Sequence, residues 1–112
     1  MTLSDVLGAN AITLEHDART FEFRPFCAAD SLRWVETEDL KQDKNEPDAA
    51  FVARQIDAQL ELMTPHFNRS LLEGEEVSAA WIKTQFPSHI LGDLATFLIS
   101  GKRPLWAAQP KK

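Results

Sequence analysis

The sequence contains a single cysteine and no long run of apolar residues. Cys27 has no second cysteine with which to form an intrachain disulfide, and no stretch reaches the about 18 consecutive apolar residues of a membrane span. Residues 1–10 contain Asp5 and no basic residue ahead of a short apolar run, so they lack the features of a secretory signal. We therefore expect a cytoplasmic protein that does not bind membranes.

Basic residues are in the minority. Twelve lysines and arginines stand against seventeen aspartates and glutamates, which gives a formal net charge of -5 at pH 7. A charge of this sign repels the phosphates of nucleic acids and of anionic membranes. The composition therefore argues against nucleic acid as a partner.

Signatures of catalysis and of cofactor binding are missing as well. The four glycines are scattered, so the sequence has neither a phosphate-binding loop nor a dinucleotide fingerprint. His16, His66 and His89 lack the paired spacings of metal ligands. No nucleophile signature flanks Cys27, which we expect to be a small buried residue. The sequence thus predicts no enzyme, no metal and no cofactor, and a function that lies in binding surfaces.

The apolar content is that of one folded domain. Of 112 residues, 44% are hydrophobic and 26% are charged, close to the average of soluble globular proteins. We expect an N-terminal segment at 1–10, a single globular domain at 11–101 and a flexible C-terminal tail at 102–112.

Residues 11–26 alternate between apolar and polar and predict a β-hairpin that ends at Pro25. A two-residue loop at 17–18 would place four apolar side chains on one face, with Ile12 opposite Phe23 and Leu14 opposite Phe21. Because Ala18 has no preference for positive φ, a four-residue loop at 16–19 remains an alternative.

The rest of the domain, 28–101, is predicted to be helical. A first helix is expected over 28–41, and the acidic stretch 36–48 is expected to form the longest loop, solvated or, alternatively, in contact with a basic partner. After Pro47, an apolar residue recurs every three or four positions and predicts a strong amphipathic helix: Val52, Ile56, Leu60, Met63 and Phe67.

Local signals mark where the later helices begin and end. Pro65 predicts a kink or break, with Thr64 capping a short second piece that ends before Gly74. Ser78 is expected to cap a short helix that carries Trp81. Ser88 is expected to cap the last helix, and Gly101 to end it. The predicted fold class is α+β, mostly α: an N-terminal β-hairpin followed by four to five short helices in a compact bundle.

Large aromatic side chains are the candidate partner contacts, because such residues dominate interfaces as well as cores. Trp81 lies in an apolar stretch, where the core is the alternative, and Trp106 lies in the tail, where folding back onto the domain is the alternative. The candidates are Trp34, Phe51, Phe67, Trp81 and Trp106.

The order of segments resembles that of phage tail assembly chaperones. The hairpin ITLEHDARTFEFRPF, which runs into a helix that starts near FCAADSLRWVE, is similar to the family's opening "T-L-x-G-x-x-F-x-x-R-P" hairpin. The segment VSAAWIKTQFPSHILGDLATFLISG resembles its closing pattern of two helices, the second ending at glycine. The likeness covers roughly residues 11–101, with Asp17-Ala18 at the turn where glycine is usual and Cys27 where a capping Ser or Thr is expected.

The resemblance implies a non-enzymatic assembly factor in an infected or lysogenic host cell. Such chaperones coat the tape measure protein, keep it soluble and help recruit tail tube subunits, without remaining in the finished virion. The alternative function is a small structural virion component, such as a head–tail connector or a minor tail protein. The sequence leaves a homo-oligomer open as well.

A longer form of the chain is a further expectation from the resemblance. Many of these chaperones exist in a short form and in a longer form made by a −1 ribosomal frameshift. Pro110, Lys111 and Lys112 can be encoded by CCA AAA AAG, which contains a slippery run. Other codons in the gene would remove the argument.

Overall fold

The computed structural model describes Thr2 and residues 10–107. In chain order, the elements are β1 (Ile12–His16), β2 (Arg19–Phe23), α1 (Ala28–Glu38), α2 (Asp48–Ser70), β3 (Leu71–Glu73), α3 (Ala79–Gln85) and α4 (Ser88–Ser100). A three-stranded antiparallel sheet in the order β1-β2-β3 therefore accompanies four helices. The α+β, mostly α prediction is confirmed.

The hairpin has the predicted register. Ile12 pairs with Phe23 and Leu14 with Phe21, and His16 pairs with Arg19, so the loop contains two residues. Both loop residues have positive φ, 51° at Asp17 and 60° at Ala18, as a type I′ turn requires. The Arg19 guanidinium donates to the Asp17 carboxylate over 3.0 Å, which holds the turn closed although Ala18 disfavours it.

A third strand follows the long helix where the sequence predicted more helix. The short helical piece expected to end before Gly74 is wrong, because α2 ends at Ser70 and β3 pairs with β2. Gly74 has a φ of 102°, and a Cβ there would lie 2.8 Å from the Ala18 carbonyl oxygen. Only glycine therefore allows the chain to pass this close to the hairpin turn.

Of the kink or break predicted at Pro65, the break is wrong, because helix α2 continues through this residue. Thr64 therefore caps no second helix. Proline leaves the carbonyl of Glu61 without its helical donor, but Glu61 is exposed and water can bond that oxygen. The Thr64 hydroxyl donates to the Leu60 carbonyl over 2.7 Å. Met63 and Phe67, on either side of the proline, are buried, so packing holds both parts in one helix.

The predictions for the remaining helix ends hold in part. Ser78 caps α3, as predicted, by accepting from the backbone N–H of Trp81. Gly101 ends α4, as predicted, with a left-handed φ of 78°. Ser88 is the first residue of α4 rather than its cap, because Pro87 takes the capping position. Cys27 precedes α1 without a side-chain cap, and α1 ends at Glu38 rather than 41.

Part of the segment predicted as a tail packs against the domain. The Arg103 guanidinium donates to the Ala11 carbonyl over 2.7 Å, and Ala107 is buried. Residues 108–112, including the proposed frameshift residues 110–112, lie outside the described residues, as do most of 1–10.

The core lies between the sheet and the helices. Phe67 of α2 meets Phe21 and Phe23 edge-on, at ring distances of 5.3 and 4.9 Å. Helices α3 and α4 close the core with further fully buried side chains: Ile82, Leu94, Phe97 and Leu98.

Candidate binding groove

A cavity of about 430 Å³ opens between the helices, on the side of α2 next to α4. We call it the groove, and its volume is in the range of protein ligand sites. All four helices and the α3–α4 junction contribute to its lining: Trp34, Ile56, Gln59, Leu60, Met63, Lys83, Phe86, Ser88, Leu91, Gly92 and Ala95.

The floor of the groove is the apolar face of α2. Ile56, Leu60 and Met63 follow at spacings of four and three, so they lie on one side of the helix over about 10 Å. Val52, one turn earlier on the same face, is 49% exposed. The apolar face therefore continues past the groove into solvent.

The facing wall is formed by α4, which presents small side chains to the groove. Ser88, Gly92 and Ala95 lie at helical spacing beside Leu91. A Cβ added at Gly92 would meet no atom within 4 Å. Glycine inside a helix costs about 1 kcal/mol relative to alanine, and no neighbouring atom in the described fold requires it here.

Two charged contacts involve the part of α2 where the groove floor begins. Lys83, which lines the groove, has its ammonium 3.2 Å from the Asp57 carboxylate. Three residues earlier on α2, Arg54 donates to the Lys41 carbonyl and to both carboxylate oxygens of Glu46. The hydrogen bond from Arg54 holds the pKa of Glu46 below its ordinary value. These contacts fix the 39–47 loop against the first turns of α2.

One of the predicted contact residues, Trp34, lines the groove, and Phe51 and Phe67 do not. Trp34 lines the groove and is 6% exposed. Phe51 is half-buried on α2, with the Arg54 guanidinium 5.5 Å from its ring centre. Phe67 is fully buried beneath the sheet. As a partner contact Phe67 is a wrong prediction, because its ring is enclosed by the core phenylalanines.

The other two tryptophans pack on the domain and do not line the groove. The Trp81 ring, half-buried, lies 5.6 Å from that of Phe86, and its indole N–H donates to Asp17 over 3.3 Å. The half-buried Trp106 donates its indole N–H to Asp93 over 3.1 Å. Trp106 thus folds back onto α4, the alternative that its place in the tail left open.

Sequence reasoning missed most of the groove's lining. From the sequence, Leu60 and Met63 were predicted only as members of the apolar face of α2. Leu91 and Ala95 belong to a helix whose sequence contains no indication of partner binding. The feature of the sequence that indicates a groove is the length of the apolar face of α2, which is longer than one small domain covers. Gly92 inside a strongly apolar helix was a second signal.

The titratable groups of the described fold are dispersed. Among residues 10–107 no group of three histidine, cysteine, aspartate or glutamate side chains is placed to hold a metal ion. Cys27 is exposed, so the prediction that it is buried is wrong. His66 is half-buried between Phe23 and Phe26, and its Nε2 lies 3.1 Å from the Arg24 carbonyl oxygen. Burial lowers the pKa of His66.

Comparison of the chain with protein-family models, curated proteins and solved structures gives no significant match. Within the described part of the chain, no helix is long and apolar enough to cross a membrane.

Proposed function

We propose that the chain is a non-enzymatic phage or prophage tail assembly chaperone that binds the tape measure protein and helps recruit tail tube subunits. In this proposal it acts in the cytoplasm of the host cell and leaves before the virion is complete. Its working surface is the groove, which takes apolar side chains from a helix of the tape measure protein.

The observation that carries the proposal is the uncovered apolar face of α2. Ile56 is half-buried and Val52 is 49% exposed, although both continue the repeat that is fully buried at Phe67. On α1, next to Trp34, Val35 is 45% exposed. Apolar surface of this kind beside a cavity is typical of sites that bind an amphipathic helix.

The order of elements supports the same function. A hairpin precedes the helices, Ser78 opens a short helix that carries Trp81, and the next helix ends at Gly101. These are the positions on which the resemblance to tail assembly chaperones rests. The net charge of -5 keeps such a protein soluble while it exposes apolar surface.

The test is co-expression with the long, helix-rich open reading frame that neighbours the gene. We expect the partner to become soluble and to co-purify with this chain. Gly92→Leu should abolish co-purification, because the new side chain enters the groove from its α4 wall. Since a Cβ at Gly92 meets no atom and leucine favours helix, this variant should fold.

His89→Leu is the matched control, because His89 is exposed on the same helix and does not line the groove. It adds a similar apolar side chain and should leave co-purification intact. An insoluble partner with no co-purification, while this chain alone stays folded, would contradict the chaperone proposal. Recovery of the chain in purified particles would then favour a structural virion component.

A further inference from the structure

The two ends of the groove differ in polarity. Its floor on α2 runs from Ile56 to Met63, over about 10 Å. At the Ile56 end, the Lys83 ammonium lies 3.2 Å from the carboxylate of Asp57, the next residue along α2. Among the described residues that line the groove, Lys83 alone is charged. A cation therefore stands at one end of a largely apolar surface.

The opposite end is apolar. The Phe26 backbone N–H donates to the Leu98 carbonyl over 2.7 Å, which holds the C-terminal half of α4 close to the residues that precede α1. The Phe26 ring centre lies 6.2 Å from that of Trp34, a lining residue, and 4.9 Å from that of His66, one turn beyond Met63. Trp34, Met63 and the C-terminal half of α4 therefore form this end.

Ser88 adds a second polar group beside Lys83. It is the first residue of α4, about 10 Å along the helix from Ala95, so it lies at the end of the groove away from Leu98. Its hydroxyl can donate a hydrogen bond, and Lys83 gives only one of its three N–H donors to Asp57. Donors to an anion are thus available at the polar end.

We propose that the groove binds a small amphiphile with an anionic head, a medium-chain carboxylate, whose chain lies along the α2 floor and whose head accepts hydrogen bonds from Lys83 and Ser88. The cavity of about 430 Å³ is within the range of small-ligand sites. With carbon–carbon bonds of about 1.5 Å, a chain of about ten carbons matches the length of the floor. The inference goes beyond the proposed function and does not rest on it, although both use the groove.

Charge decides which head group the polar end accepts. Lys83 lines the groove and Asp57 does not, so a bound head group lies nearer to the ammonium. The Lys83–Asp57 pair is 53% and 63% exposed, and exposed pairs are weak, so a ligand carboxylate can replace Asp57 as the partner. A cationic head would meet repulsion from Lys83, and a neutral head gains no ion pair.

The test compares three probes that share a ten-carbon chain and differ in the head: decanoate, 1-decanol and decyltrimethylammonium. Binding of each to the full chain is measured by isothermal titration calorimetry at pH 7, below the concentration at which the probe forms micelles. We expect decanoate to bind at least tenfold more tightly than decanol, and decyltrimethylammonium to bind most weakly.

Variants of the polar end test the role of Lys83. Lys83→Gln should reduce the affinity for decanoate to that for decanol. Lys44→Gln is the matched control, because it removes the same charge from an exposed lysine that does not line the groove, and it should leave binding unchanged. Asp57→Asn should tighten binding of decanoate, because it removes the competing carboxylate.

Variants of the wall test whether the chain lies in the groove. Gly92→Leu should weaken binding of decanoate and decanol at least tenfold, and His89→Leu should leave both unchanged. Equal affinity for decanoate and decyltrimethylammonium, no saturable binding of decanoate, or binding that Lys83→Gln or Gly92→Leu does not weaken would overturn the inference. Because the titrations use this chain alone, failure to capture the tape measure protein would leave their result unchanged.

Discussion

The two halves of α2 carry one apolar repeat but differ in what covers it. In the second half, Phe67 is fully buried beneath the sheet, against Phe21 and Phe23. In the first half, Val52 is half exposed and Ile56 borders the groove. A periodic face thus shows that a helix has an apolar side, but not whether its own domain covers that side.

The difference has a structural cause. Strand β3 turns back from the end of α2 at Leu71 and brings the hairpin over Phe67, with Gly74 passing close to the Ala18 carbonyl. Among residues 10–107, nothing comparable lies over the first turns of α2, where the 39–47 loop is held to the side by Arg54. We call these parts the closed half and the open half of α2.

The largest expected loss of stability comes from a substitution in the closed half of α2. Phe67→Ala should lower the free energy of unfolding by about 3–5 kcal/mol, because it leaves a cavity among packed rings. Ile56→Ala in the open half should cost only about 1 kcal/mol, since part of its side chain is already in contact with water. Urea unfolding of both variants measures the difference, and equal losses would contradict the division of α2.

The next largest loss of stability is expected from removing a polar contact in the closed half of α2. The Asn68 side chain accepts from the Val77 backbone N–H over 2.8 Å and donates to the Val77 carbonyl over 3.1 Å. Asn68→Ala should cost about 1–3 kcal/mol, because Val77 is buried and both of its backbone groups lose a partner. Gln59→Ala at the groove serves as the control and should change stability by less than about 0.5 kcal/mol.

A substitution in the wall of the groove should stabilise the protein. Gly92→Ala should raise the free energy of unfolding by up to about 1 kcal/mol, because alanine favours the helix and its Cβ meets no atom. Thermal unfolding measures the change. A lower midpoint would mean that the α4 wall is packed against another part of the chain, in conflict with an open groove.

The smallest effect concerns the pH dependence of the closed half. Burial lowers the pKa of His66 below its ordinary value of 6.5, so the folded state holds this ring neutral. As the pH falls below 6.5, the unfolded chain takes up a proton that the folded chain does not, and stability decreases until the folded pKa is passed. Unfolding midpoints across this range should be less pH-dependent in His66→Gln, which retains an amide donor for the Arg24 carbonyl.

Local patterns predicted the hairpin more completely than they predicted the helices. The alternation around Phe21 and Phe23 sets the register because a shift by one residue would expose both rings. Strand β3 has only three residues, too few for an alternating pattern. The break expected at Pro65 failed because burial on both sides of the proline outweighs one missing hydrogen bond.

The groove could be predicted only in part, for a related reason. Its floor follows from the spacing of Ile56, Leu60 and Met63, which the sequence shows directly. Its wall depends on where α4 packs, and that position is set by contacts distant in sequence, such as the hydrogen bond from the Phe26 N–H to the Leu98 carbonyl. A local sequence pattern does not predict a contact between residues so far apart in the chain.

Amide hydrogen exchange tests most directly the claim that the open half of α2 is a binding surface. In the free protein, residues 50–58 should exchange faster than residues 62–70, because less packing opposes local opening. Addition of the captured partner should slow exchange at 52–63 and at 88–95 and leave 12–23 unchanged. Protection confined to the hairpin, or no change along α2, would contradict this account.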